Sequence, residues 1–138
     1  MPLVRKHLAL GWWWLAIFLA LGLGLEVMHG LKVGFYLDVS NETRRLMWTL
    51  AHAHGTLLGV VHLAFAFTLK TLDAETASWA RRASIALTLA GVLLPGGFLL
   101  GGLIVWGGDP FLGVLLVPLG ALALLVAAVS VARRAGAS

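Results

Sequence analysis

Four long apolar runs decide what this chain can fold into. A helix needs roughly 20 consecutive, mostly apolar residues to cross the hydrocarbon core of a bilayer. Four segments meet this requirement, and charged or turn-forming residues bound each of them: 8–28, 46–69, 83–106 and 111–132. The sequence therefore predicts an all-α fold, a single four-helix transmembrane domain over residues 1–138, arranged as an up-down bundle or an arc.

The composition agrees with a membrane protein and excludes several other classes. The chain is 60% hydrophobic and only 12% charged, whereas about 25% of the residues of a soluble domain are charged. It has no cysteine, which excludes disulfides, iron–sulfur clusters and thiolate zinc sites. The basic residues flank the apolar runs, where they set topology, so a nucleic-acid partner is excluded. The first run lacks a small-residue cleavage site, which favours a retained helix over a signal peptide.

The distribution of positive charge predicts the orientation in the membrane. Seven of the ten basic residues lie at one side of the predicted helices: Arg5, Lys6, Lys70, Arg81, Arg82, Arg133 and Arg134. Lys32, Arg44 and Arg45 lie at the other side. Because positive charge accumulates in the cytoplasm, we expect a multi-pass protein of a bacterial inner membrane with both termini inside. The turn at 107–110, Gly-Gly-Asp-Pro, makes the third and fourth helices antiparallel neighbours.

The second apolar run carries the residues that indicate chemistry. It contains His52, His54 and His62, three of the five histidines, and ionisable groups inside a membrane span point to function. At about 100° per residue, His52 and His54 are about 200° apart and point to nearly opposite sides of the helix. Gly55 and Gly59 lie on the His52 side, where small residues allow another backbone or a flat ligand to approach closely.

These residues are of the kinds that a haem site requires. Haem needs one or two imidazoles at the iron, an apolar slot and basic groups for the propionates. His52 and His54 are the candidate iron ligands, and Gly55 and Gly59 line the candidate slot. Arg44 and Arg45, about two turns outward, are the candidate propionate partners. The third and fourth predicted helices contain no histidine, so a second ligand comes from residues 28–29 or from another subunit.

Other ionisable residues leave different chemistries open. Glu26 and His29 have the Glu-x-x-His spacing of di-iron bundles, but no second such motif exists in the sequence. Glu26, His29 and His52 are also compatible with a small metal-ion transporter. His62, a further candidate metal ligand, lies about 15 Å from His52 along the helix, too far to share one small site. In a third interpretation the histidines are only hydrogen-bonded, in a cofactor-free structural or assembly subunit of a respiratory complex.

The second run resembles helices of subunit I of the haem-copper oxidases. Thr49-Leu50-Ala51-His52-Ala53 is similar to the Thr-Ala-His-Ala string of that family's second helix, and His52-Ala53-His54 matches the His-x-His of its tenth. Those oxidases arrange twelve helices as three arcs of four, with the histidine-bearing helix second in each arc. Small four-helix bacterial membrane proteins with similar histidine helices also resemble this chain.

The resemblance implies a homotrimer that rebuilds the twelve-helix ring. His54 of one protomer and His52 of the next would bind one haem b, and Arg44 and Arg45 would hold its propionates. The family's copper site needs three histidines and a linked tyrosine, and this sequence has no such set, its single tyrosine being Tyr36. Two axial histidines close the iron to oxygen. We therefore expect electron transfer or haem storage, with a quinone or respiratory redox partner, and no oxygen reduction.

Overall fold

The computed structural model describes residues 2–38 and 41–136, and this part of the chain is almost wholly helical. The four helices are α1 (Pro2–Gly30), α2 (Thr43–Thr71), α3 (Ser78–Leu103) and α4 (Leu116–Ala135). A 3₁₀ turn at Leu112–Leu115 leads into α4. Each helix, counting the 3₁₀ turn with α4, is long and apolar enough to cross a membrane. The predicted all-α class and the four candidate transmembrane helices are thus confirmed.

The helices extend beyond the apolar runs at most of their ends. α1 begins six residues before the predicted start at residue 8, and α2 and α3 begin three and five residues before residues 46 and 83. The apolar run marks only the part of a helix that is suited to hydrocarbon, whereas hydrogen bonding continues the helix into polar sequence. The N-terminus of α2 follows Asn41, whose side-chain oxygen accepts a hydrogen bond from the Thr43 N–H at 3.0 Å.

A short hairpin joins α3 to α4 and ends α3 earlier than predicted. Strands β1 (Val105–Trp106) and β2 (Asp109–Pro110) pair antiparallel. Between them Gly107 and Gly108 have φ values of 59° and 96°, a two-residue turn that glycine adopts without strain. Because residues 105 and 106 belong to this hairpin, α3 ends at Leu103 instead of residue 106. The turn places α3 and α4 as packed antiparallel neighbours, as predicted.

The helices form a row in sequence order, α1–α2–α3–α4. Each packs mainly against its neighbours in the sequence, and a groove of about 300 Å³ runs between α2, α3 and α4. In their most apolar stretches, 56% of the residues of α3 are buried but only 11% of those of α4. The corresponding share is 39% for α2 and 17% for α1. The two middle helices therefore form the core, while α1 and α4 present broad apolar faces outward.

The two ends of the row differ in their connections. At the end that we call the terminal end, the α1 N-terminus lies beside the α2–α3 connection, where the Val4 N–H donates to Glu75 Oε1 at 3.1 Å. The end of α4 lies beside the start of α3 there, with Arg133 and Arg134 near Arg82. At the opposite end, the hairpin end, Thr43 donates a hydrogen bond to the carbonyl of Gly108. His52 and His54 lie in the half of α2 nearer the hairpin end.

Candidate functional site

His52 faces α1. Its Nδ1 is 2.6 Å from the carbonyl oxygen of Phe18, and since a carbonyl only accepts, Nδ1 carries the hydrogen and donates. The half-buried imidazole ring lies against the backbone of Gly22, where an added Cβ would overlap it. The absence of a side chain at position 22 is therefore what admits the His52 ring to the α1–α2 interface.

His54 faces α3, on the other flank of α2. Its ring is 4.9 Å, centroid to centroid, from that of Phe98. Its Nδ1 donates to the carbonyl oxygen of Leu50, one turn earlier in α2, at 2.8 Å. As predicted, the two histidines point in nearly opposite directions, and they contact two different helices. One chain cannot present both imidazoles to a single iron.

Both histidines keep one ring nitrogen unengaged. Neither Nε2 has a hydrogen-bond partner among residues 2–38 and 41–136. A neutral imidazole that donates through Nδ1 has its lone pair at Nε2. A hydrogen bond from the second ring nitrogen to a carbonyl is also the usual support of a metal-bound histidine. The Nε2 atoms of His52 and His54 are therefore two separate candidate ligands for a metal ion.

Helix α1 occupies the surface offered by Gly55 and Gly59. A Cβ on Gly55 would overlap the ring of Phe18, and a Cβ on Gly59 would lie 2.9 Å from Leu15 Cγ and 3.0 Å from the Gly11 carbonyl oxygen. Both glycines are buried. The small residues thus serve the close approach of α1 and α2 within one chain, and a flat ligand would have to lie elsewhere.

Arg44 and Arg45 occupy the hairpin end with different partners. Arg44 donates from Nε to the Gly102 carbonyl at 3.1 Å and from Nη1 to the Phe35 carbonyl at 2.8 Å. Its guanidinium also lies 3.9 Å from the centre of the Phe35 ring. Arg45 pairs with Glu42 at 2.6 Å in an exposed i,i+3 ion pair. Arg44 therefore ties α2 to α3 and to the first connection, whereas Arg45 remains at the surface.

Glu26 and His29 line a polar cavity of about 470 Å³ at the hairpin end. Its wall also includes Tyr36, Arg45 and Thr49, but not His52. In the part of the chain that the structure describes, no three histidine or carboxylate side chains lie close enough to hold a metal ion. A transporter site built from Glu26, His29 and His52 therefore gains no geometric support.

His62 belongs to a buried polar cluster that the sequence analysis did not identify. Its Nδ1 is 2.7 Å from Nδ1 of His7 in α1, and both side chains are fully buried. His7 Nε2 lies 2.8 Å from Ser84 Oγ of α3, and Lys6 Nζ donates to the same oxygen at 3.1 Å. The cluster lies towards the terminal end, so the structure separates His62 from the pair at 52 and 54.

The sequence signal for this cluster is weak. His7 is at the border of the first apolar run, and a serine in a membrane helix is common. Only the antiparallel register of α1 and α2 places His7 and His62 at one depth, and that register depends on contacts between helices.

Comparisons of this chain with protein-family models, with curated proteins and with solved structures gave no match. The resemblance to haem-copper oxidase subunit I therefore remains a hypothesis.

Proposed function

We propose that this protein is a membrane haem b protein with two axial histidines, His52 and His54, in a homotrimer. The carrying observation is that the two imidazoles leave α2 on opposite flanks, each donating through Nδ1 to a backbone carbonyl. Each iron would be held by one Nε2 from each of two protomers, because one protomer cannot supply both. Three protomers with one His52 and one His54 each complete three equivalent sites.

The residues present fit a haem between protomers better than a haem within one. Gly55 and Gly59, the predicted slot, are covered by α1, so a haem would have to lie against the outer surfaces of the row. Those surfaces are apolar, as the exposed side chains of α1 and α4 show, and large exposed apolar surfaces indicate partners or lipid. Arg45 is the better propionate partner, because its exposed ion pair with Glu42 is weak, whereas Arg44 donates two hydrogen bonds to carbonyl oxygens.

A bound haem supplies reversible one-electron chemistry at its iron. The protein's own part is to hold two imidazoles in fixed tautomers through the carbonyls of Phe18 and Leu50. Occupation of both axial positions excludes oxygen from the iron, so the function is electron transfer or haem storage. The site lies nearer the hairpin end, the outer side in the orientation that we propose for a bacterial inner membrane, where a quinone or a respiratory redox partner has access.

The test is a visible absorption spectrum of the detergent-purified protein, first oxidised and then reduced with dithionite. We expect the Soret and α bands of six-coordinate low-spin haem b. Both His52→Ala and His54→Ala should lose these bands, and His29→Ala, a change at the hairpin end away from both rings, should keep them. Native mass spectrometry of the same samples should give three chains.

The opposing result is a colourless protein even when haem is supplied during expression. That result would favour the cofactor-free structural subunit, for which the hydrogen bond from His52 to the Phe18 carbonyl is the supporting observation. In that case His52→Ala would lower thermal stability without any spectral consequence. Metal in the purified protein, lost on Glu26→Gln, would favour the transporter instead.

A further inference from the structure

The His7–His62 pair has a defined number of hydrogens. The two imidazoles have four ring nitrogens, and when both are neutral two of these carry hydrogen. One hydrogen must lie between the two Nδ1 atoms, because they are 2.7 Å apart and two bare lone pairs would repel. The second hydrogen is therefore on Nε2 of His7 or on Nε2 of His62. Of these two neutral arrangements, the one with the second hydrogen on Nε2 of His62 leaves His7 Nε2 able to accept a hydrogen from Ser84.

One end of the pair is connected to the aqueous surface at the terminal end. His7 Nε2 is 2.8 Å from Ser84 Oγ, which can donate to it or accept from it. The same oxygen accepts from Lys6 Nζ at 3.1 Å, and Lys6 is only half-buried. Surface, lysine, serine and the two histidines thus form one uninterrupted chain of hydrogen-bonding groups.

The other end of the chain is closed. His62 Nε2 is buried and has no hydrogen-bond partner in the described part of the protein. It points at Gly91 of α3, where an added Cβ would be 3.2 Å away, and the Trp14 indole borders the same place at 3.4 Å. Trp14 is held there because its Nε1 donates to the Gly91 carbonyl at 3.0 Å. An unpaired buried nitrogen costs stability, which indicates a role besides joining helices.

The charged groups around the pair are few. From α1, Lys6 contacts Ser84, and from the α2–α3 connection, Glu75 binds the Val4 N–H. α2 contributes Phe65, whose ring packs edge-on against His7. α3 contributes the uncharged Ser84, whose carbonyl accepts from Thr88, while its Arg81 and Arg82 are exposed. Lys6 is therefore the charged side chain that contacts this cluster in the described part of the chain.

We propose that His7 and His62 form a proton-binding site inside the membrane domain, filled from the terminal-end aqueous phase through Lys6 and Ser84. It is independent of the haem proposal, since it uses neither His52 nor His54. On uptake, the Ser84 hydroxyl gives its hydrogen to His7 Nε2 and takes one from the Lys6 ammonium, and hydronium from the aqueous phase then reprotonates Lys6. The pair ends with three protonated nitrogens and one positive charge shared between the two Nδ1 atoms.

Because the route is closed at His62, the site takes up and releases its proton on the same side, at the terminal end. The proton that enters from the terminal end returns there, because the route ends at His62 between Trp14 and Gly91. Positive charge on Lys6 opposes positive charge on the pair. Proton transfer from Lys6 to the pair moves one charge inward, and reprotonation of Lys6 then places a second positive charge nearby, which favours return of the proton along the same route.

The experiment is nitrogen-15 NMR of the full chain, labelled at histidine and reconstituted with its bound groups in lipid bilayers. Signals are assigned with His7→Gln and His62→Gln. We expect a scalar coupling between the two Nδ1 atoms and, on acidification from about pH 9 to about pH 3, a rise from two to three protonated nitrogens in the pair, because an imidazole in an apolar site takes up a proton only in more acidic solution. A pair that keeps two protonated nitrogens over this range would overturn the proposal, and its role would then be only to hold α1 and α2 together by a hydrogen bond.

Two further variants test the route without removing a histidine. Ser84→Ala should slow hydrogen–deuterium exchange at the pair about a hundredfold, the lower part of the range for a positioned proton-transfer group. Thr88→Ala, one turn along α3, removes a hydroxyl that donates to the Ser84 carbonyl and not to its side chain, and it should leave the rate unchanged. An equal rate in both variants would contradict the route through Ser84.

Discussion

Gly22 controls the position of His52 more directly than any polar contact. The imidazole lies against the glycine backbone, and its Nδ1 reaches the Phe18 carbonyl one turn earlier in α1. A side chain at position 22 would occupy the place of the ring. At the neighbouring Gly24, an added Cβ would meet no atom within 4 Å. Substitutions at Gly22 and Gly24 can therefore distinguish the contact with His52 from the general effect of replacing a glycine in α1.

Gly22→Ala should displace His52 and break its hydrogen bond to Phe18. We expect a loss of stability of about 1–3 kcal/mol from overpacking, together with loss of the His52-dependent haem bands. Gly24→Ala should keep both properties. Thermal unfolding and visible spectra of the two purified variants make the comparison. Equal behaviour of the two variants would contradict the assigned contact.

Replacing Arg44 should lower the stability of the protein more than replacing Arg45, although the two residues are adjacent. Arg44→Ala removes two hydrogen bonds to backbone carbonyls of other segments, and each hydrogen bond of a charged group contributes about 1.5–3 kcal/mol. Arg45→Ala removes an ion pair with Glu42 whose side chains are 34% and 68% exposed, so we expect about 0–1 kcal/mol. Thermal unfolding in detergent compares them, and a larger effect at Arg45 would be the contrary result.

At the scale of elements, backbone contacts between α3 and the start of α4 set how closely these helices approach. A Cβ on Gly97 would lie 3.0 Å from the Val117 nitrogen and 3.1 Å from the Gly113 carbonyl oxygen. A Cβ on Gly120 would lie 2.7 Å from the Leu94 nitrogen. Although Val117 Cγ2 also lies 2.9 Å from the Cβ on Gly97, rotation of that side chain would not relieve the contacts with the backbone atoms. Small residues therefore define this interface.

Gly97→Ala should separate α3 from α4, and Gly96→Ala should not. Position 96 has nothing within 4 Å of an added Cβ, so alanine there should be neutral or slightly stabilising, because alanine is the better helix former. For Gly97→Ala we expect a loss of about 1–3 kcal/mol. Unfolding by heat or denaturant in detergent measures both. A stabilising Gly97→Ala would show that the helices do not approach as described.

At the scale of the whole molecule, the connections at the two ends of the row should lie on opposite sides of the membrane. The start of α1, the end of α4 and the α2–α3 connection share the end rich in basic residues. The hairpin between α3 and α4 shares the opposite end with the first connection. Because positive charge accumulates on the cytoplasmic side, we expect the α2–α3 connection to be inside and the hairpin to be outside.

Because the chain has no cysteine, single cysteines can report topology. Asp109→Cys in the hairpin should react with a membrane-impermeant maleimide in intact cells. Thr76→Cys in the α2–α3 connection should react only after the membrane is broken. Reaction in the reverse order would invert the proposed orientation while leaving the fold as described.

The four helices, the antiparallel α3–α4 turn and the opposite directions of His52 and His54 could be predicted from the sequence. These properties are local, since hydrophobic run length, turn glycines and a 100° step depend on neighbouring residues alone. Only the tertiary structure decided that α1 covers Gly55 and Gly59, that Arg44 binds carbonyls of other segments, and that His7 meets His62. These contacts join residues far apart in the sequence, and they depend on the register in which the helices pack.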